Sequence, residues 1–182
     1  MGSFEEFEQK HGRPELCEKV SPQQRQAFAG KLPEVLLDAW STSGWCRYAD
    51  GLFWTVNPSE YADILPDWLK EPKHAYVYLR TAFGSMIFWD GRSNYFLDVH
   101  DKGVSRLFTG VEDVFNGTLC DDDYLDDVIL RPTFREALPR LGQPAKDECY
   151  GFLPPLGMDG EFSADNLERV KLREHLAILA QL

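Results

Sequence analysis

Five carboxylates fall within seven residues, at Asp121, Asp122, Asp123, Asp126 and Asp127. No other part of the chain is so dense in groups that could do chemistry. On a helical wheel Asp122, Asp123, Asp126 and Asp127 take one side, and Tyr124, Leu125, Val128 and Ile129 the other. Carboxylates in a row on a helix do not wrap a calcium ion, and the EF-hand spacing is absent. Aspartates at a helix start suit the helix dipole, which accounts for Asp121 to Asp123 better than for Asp126 and Asp127. The other reading is a contact surface for a basic partner, with Tyr124 at its margin. Trp89 and Asp90, beside Gly91, form a second candidate contact if the tryptophan sits at a loop tip rather than in the core. Trp54 and Trp68 read as core.

Asp98, His100 and Asp101 are the remaining acid–base candidates. Asp98 and His100 share a face in a strand and read as an ion pair at a strand end. A hydrolase would also need a nucleophile or a metal. His11 falls at a helix end, His74 in a linker, and His175 at a surface or boundary position of the last helix. No G-x-S-x-G, P-loop, H-E-x-x-H or G-x-G-x-x-G pattern occurs. The chain reads as a non-enzyme without a cofactor or metal. Cys17, Cys46, Cys120 and Cys149 are far apart and form no C-x-x-C pair. They are expected to be reduced, mostly buried thiols.

The organising stretch runs from residue 75 to 108. Apolar runs at 75–79, 86–89, 95–99 and 104–108 are separated by turn chemistry at Gly84, Asp90-Gly91, Ser93-Asn94 and Gly103. This pattern predicts an antiparallel meander. Its first two strands are apolar on both faces, so both faces need cover. Ahead of it, capping boxes at Ser3 and Ser21 and a proline at position 33 predict three helices. Residues 45–49 and 52–56 flank Asp50-Gly51 as a hairpin with a two-residue turn. Asn57 is expected to cap a fourth helix carrying Tyr61, Ile64 and Leu65. Residues 70–73 mark a boundary between units 1–72 and 73–182, packed as one body. Helices are then expected at 111–119, 121–130 and 133–141, a strand at 148–153, and a last helix opened by Asp165. The fold class is α+β: N-terminal helices and a hairpin, then a meander covered by helices.

Thirty acids against 19 bases leave a net charge of -11. Such a surface repels nucleic acid and anionic membrane and steers toward basic partners. The N-terminus lacks a basic region followed by an apolar one, so no export signal is expected. No apolar run approaches the roughly 18 residues of a membrane helix.

Asp147, Tyr150-Gly151-Phe152 with Pro154, and the closing Leu179-Ala180-Gln181-Leu182 closely resemble the C-terminal signature of immunity proteins that accompany type VI secretion DNase effectors. Phe83-Gly84 and Phe88 to Asp90 resemble that family's meander. Phe7, Gly12, Pro14, Gly44-Trp45 and Asp50 to Trp54 resemble the GAD-like domain that often precedes it. The organisation is similar to the immunity protein of a GHH-type nuclease effector. The family often carries a small Gly-rich turn after the Pro-rich segment, where this chain places Asp159 and Glu161. The resemblance implies a bacterial cytosolic protein that binds a basic secreted nuclease domain, one to one, and stops it cutting DNA. The alternative it carries is an accessory domain linked to tRNA, because GAD-like regions are named for a domain of tRNA-charging enzymes. That would need a basic stripe, and none is visible.

Overall fold

Turn chemistry shapes the centre of the molecule. In the computed structural model, which describes residues 3–182, β4 (Tyr76–Thr81), β5 (Met86–Trp89), β6 (Asn94–Leu97) and β7 (Val104–Arg106) form the expected antiparallel meander. Gly84 and Gly91 take φ values of 87° and 98° in its first two turns, a region open to glycine at no steric cost. β4 pairs on its other side with β3 (Phe53–Thr55), β3 with β2 (Trp45–Tyr48), and β2 with β1 (Glu15–Glu18). The result is one seven-stranded sheet in sequence order. Residues 70–73 lead through a 3-10 turn (Pro72–His74) from β3 toward its paired neighbour β4.

Both faces of the sheet are covered. Tyr78, Ile87 and Phe96 face a large core. That core receives Phe7 of α1 (Glu5–His11), Phe28 of α2 (Pro22–Phe28), and Leu36, Leu37 and Trp40 of α3 (Glu34–Thr42). α4 (Val111–Asn116), α5 (Asp122–Asp127) and α6 (Arg131–Leu141) add Phe115, Leu125 and Phe134. Val77, Met86, Phe88 and Leu97 face a second core, built with Tyr61, Ile64 and Leu65 and with Leu172, Leu176 and Leu179 of α7 (Leu172–Ala180). Each such side chain stabilises the fold by roughly 1.5–3 kcal/mol when fully buried. A two-stranded sheet of β8 (Glu148–Phe152) and β9 (Leu167–Lys171) completes the chain.

Several local expectations need correction. Ser3 forms no capping box: α1 starts after Phe4 without a side-chain cap, and the distant Asn116 bonds the segment instead. It accepts from Phe7 N at 3.3 Å and donates to Ser3 O at 2.9 Å. The β2–β3 turn uses four residues, 49–52, with Ala49, Asp50 and Gly51 all at positive φ. Asn57 caps only a 3-10 turn, and the segment up to Asp67 stays in short turns; Pro66 supplies no N–H to a helical ladder. α5 is six residues long rather than ten, and Leu130 at φ 64° precedes the start of α6. Residues 167–171, expected in the last helix, form β9, because pairing with β8 satisfies their backbone. Ser163 rather than Asp165 caps the 3-10 turn before them. Cys17 and Cys46 are not free thiols but a disulfide joining β1 to β2, which the antiparallel pairing brings together across 29 residues. Cys120 and Cys149 are free.

Candidate functional site

The two-sided character of α5 holds in three dimensions. Leu125 and Ile129 are buried, Tyr124 and Val128 are half-buried, and Asp121, Asp122, Asp123 and Asp127 are exposed. Asp121 caps the helix by accepting from Tyr124 N at 2.8 Å. The like-charge pair Asp122 and Asp126 would cost a few tenths of a kcal/mol alone. Arg131 relieves it, with Nη1 2.8 Å from Asp122 Oδ1 and Nε 2.6 Å from Asp126 Oδ1. Lys10 adds a second cation 2.8 Å from Asp122. Hydrogen bonds from Lys10 and Arg131 pull the Asp122 carboxyl down to about 2, and Arg131 also lowers that of Asp126. Asp123 and Asp127 have no salt bridge among the described residues. The face therefore splits into a pair tied to the fold and a pair left to solvent.

Trp89 is half-buried at the end of β5 and packs against the large core. Asp90 is committed to its own turn, accepting from Arg92 N at 2.8 Å and Ser93 N at 2.9 Å. Tyr124 lies edge-on to Phe96, with ring centroids 6.1 Å apart.

His100 does not pair with Asp98 through its ring. Asp98 Oδ1 accepts instead from the His100 backbone N–H at 2.8 Å. The imidazole sits edge-on between Phe83 and Phe152, at 6.2 and 5.3 Å. His175, expected at the surface, is only 4% exposed. Its ring closes on the Gly151 backbone, so that a Cβ there would stand 2.6 Å from His175 Cε1. Nε2 of both histidines is buried without a partner among the described residues. Burial pushes both imidazoles down to about 4. They are neutral packing groups near pH 7.

The same geometry explains the Tyr150-Gly151-Phe152 motif. Tyr150 donates to Gly142 O at 2.5 Å and stacks on Phe134. Gly151 leaves room for His175, and Phe152 stacks on Phe83 at 6.2 Å. Arg80, which the sequence did not single out, is 1% exposed. It donates to the carbonyls of Thr81, Ala145 and Lys146 and lies 4.9 Å over the Trp54 ring. It thereby joins the central sheet to the start of β8. The charged residue inside a strand of aromatics was the signal for it. Lys10 and Arg131 gave none, because they meet the acidic helix only through the fold. Among the described residues no group of three or more His, Cys, Asp or Glu side chains could hold a metal. No described helix is long and apolar enough to cross a membrane.

A continuous antiparallel sheet covered by N-terminal helices, followed by a motif-bearing β8–β9 pair and α7, defines a GAD-like domain joined to a C-terminal α+β extension. Residues 2–101 match the GAD-like domain family, and residues 111–182 match the family described as T6SS immunity protein Tdi1, C-terminal. The chain belongs to the GAD-like family, and its C-terminal part carries a region of the type VI secretion immunity kind. No curated protein matches it. Its fold is similar to the crystal structure of Atu4351 from Agrobacterium tumefaciens, with a TM-score of 0.78 and 18% identity, covering 98% of this chain and 88% of that one.

Proposed function

We propose that this chain neutralises a cognate DNase toxin, of the GHH type, by forming a one-to-one complex in the bacterial cytosol, and that it acts by occupancy rather than catalysis. The observation that carries the reading is the immunity-type C-terminal region on a protein of net charge -11. A nuclease must hold DNA phosphates, so its binding face is basic. An anionic protein is drawn to such a face quickly and matches it once docked. Asp123 and Asp127 support the reading because no cation among the described residues pairs with them, while Asp122 and Asp126 are held by Arg131. Tyr124 and Trp89 offer half-buried rings beside them and at the end of β5, and Asp121 and Asp90 hold their local backbone. Units 1–72 and 73–182 work as one body in this reading, with Arg80 over the Trp54 ring and the β3–β4 pairing among the ties between them.

The test is survival. Cells expressing the nuclease domain encoded beside this gene should live when the chain is co-expressed and die with an empty vector. Death in both arms, with the chain folded and abundant, overturns the proposal.

A further inference from the structure

We infer that the loop joining β8 to β9, together with the end of α7, forms the anchor of the toxin interface: an apolar centre ringed by free carboxylates, suited to a basic nuclease domain. This rests on the proposed function and names the surface that performs it. Of the eight large hydrophobic side chains that are exposed among the described residues, five lie in the last thirty residues: Leu153 at 45%, Met158 at 55%, Phe162 at 57%, Ile178 at 51% and Leu182 at 47%. Single exposed hydrophobics are ordinary, whereas a connected group of them marks a contact surface.

The connections run from ring to chain end. Phe162 lies 5.3 Å from Phe152, which lies 5.3 Å from His100. His100, Leu156, Gly157 and Leu182 line one cleft of about 150 Å³, with Asp101 and Lys102 at its edge and the Lys102 ammonium donating to Ala180 O at 3.2 Å. A Cβ at Gly157 would stand 3.6 Å from Leu182. Ile178 lies in the last turn of α7, and Leu182 follows just past its end, where the Leu182 N–H donates to Leu179 O at 3.2 Å.

The loop is held in place by its own bonds. Leu153 N donates to Asn166 O at 2.8 Å, Met158 N to Pro155 O at 2.8 Å, and Asn166 Nδ2 to Glu161 O at 3.2 Å. Gly160 approaches so closely that a Cβ would fall 2.0 Å from Pro154 O. A loop already folded around its anchors loses little freedom on binding.

Charge selects the occupant. Residues 153–166 carry Asp159, Glu161 and Asp165; the cations that the fold brings near them, Arg140 and Lys102, are engaged on the backbone carbonyls of Ala164, Leu167 and Ala180, and Arg140 also faces Glu168. All three acids are exposed, and none has a salt bridge among the described residues. An apolar centre with a polar rim is the common anatomy of protein interfaces. An acidic rim fits a partner whose own rim is basic. A second copy of this chain would set acids against acids.

The test measures affinity for a catalytically inactivated form of the neighbouring nuclease domain. Phe162→Ser with Leu182→Ser should weaken binding at least about thirtyfold, mostly through faster dissociation. Asp159→Asn, Glu161→Asn and Asp165→Asn together should slow association and flatten its salt dependence. All five positions are exposed, so circular dichroism should match the parent. Wild-type affinity in the double variant, with an unchanged spectrum, overturns the inference and leaves the function standing. A parent dimer that the double variant breaks, with toxin affinity intact, assigns the patch to self-contact and overturns it too. A parent that binds no toxin removes the function and this surface with it.

Discussion

Lowering the pH from 7 to 5 should cost this protein about 4 kcal/mol of stability, and two buried imidazoles should account for most of it. His100 and His175 titrate near 4 in the fold, against an ordinary value of 6.5. The depressed value means that the unfolded chain binds more protons, so stability falls as pH falls. At pH 7 both states are mostly neutral. At pH 5 the unfolded imidazole is nearly all charged, while the folded one is about nine-tenths neutral. The difference is about 2 kcal/mol per histidine. It opens below about pH 6.5 and saturates below about pH 4, where the unfolded chain begins to protonate Asp122 and Asp126 while the fold still holds them charged, which adds a separate loss. A global stability of about 5–15 kcal/mol makes this a large fraction. Urea unfolding followed by tryptophan fluorescence at the two pH values reads it directly, with an unchanged slope as the check on two-state behaviour. His100→Leu and His175→Leu should each remove about half of the pH-dependent loss, whatever they do to stability at pH 7. The small remainder should come from His11, which burial also shifts down. A parent that loses less than about 1 kcal/mol, or a double variant that keeps the full loss, refutes the assignment of these rings as buried, neutral and unpartnered.

Two other perturbations follow from the packing. Arg80→Met removes the donor to the carbonyls of Thr81, Ala145 and Lys146 and should cost about 1–3 kcal/mol in urea unfolding for each carbonyl left buried without a partner; Arg80→Lys should not restore it, because an ammonium lacks the planar fork. Cys17→Ser opens the disulfide that closes a 29-residue separation and should cost up to about 3.6 kcal/mol in oxidising buffer, and close to nothing once the parent is measured in excess reductant.

The sequence reads well where local chemistry and tertiary structure agree. The meander is announced by its glycines, and its doubly apolar strands correctly demand two covered faces. The capping box at Ser21 forms with both of its bonds. The α5 wheel separates the buried from the exposed side although the helix is shorter than expected. It reads poorly where a distant partner decides. β1 has no buried residue and so no pattern to find. β9 was hidden because Leu167, Val170 and Leu172 fit a helical period by chance, while the pairing with β8 sets the backbone. The acidic face looked uniform because Lys10 lies more than a hundred residues from Asp122, and because Arg131, although close in sequence, reaches back to Asp122 and Asp126 only once the helix ends at Asp127 and the chain turns at Leu130. The burial of His175 depends on the absence of a side chain at Gly151, a fit that only the folded β8–α7 packing brings about.

The central claim is inhibition by occupancy, and a titration tests it most directly. The neighbouring nuclease domain, held at a fixed concentration well above the dissociation constant, is assayed on plasmid DNA as the purified chain is added. The account predicts a straight decline in cleavage that reaches zero at one equivalent and is reversed by high salt. Complete inhibition by a small fraction of an equivalent would mean catalysis by this chain, and undiminished cleavage at several equivalents would mean that it does not bind the nuclease; either result contradicts the account.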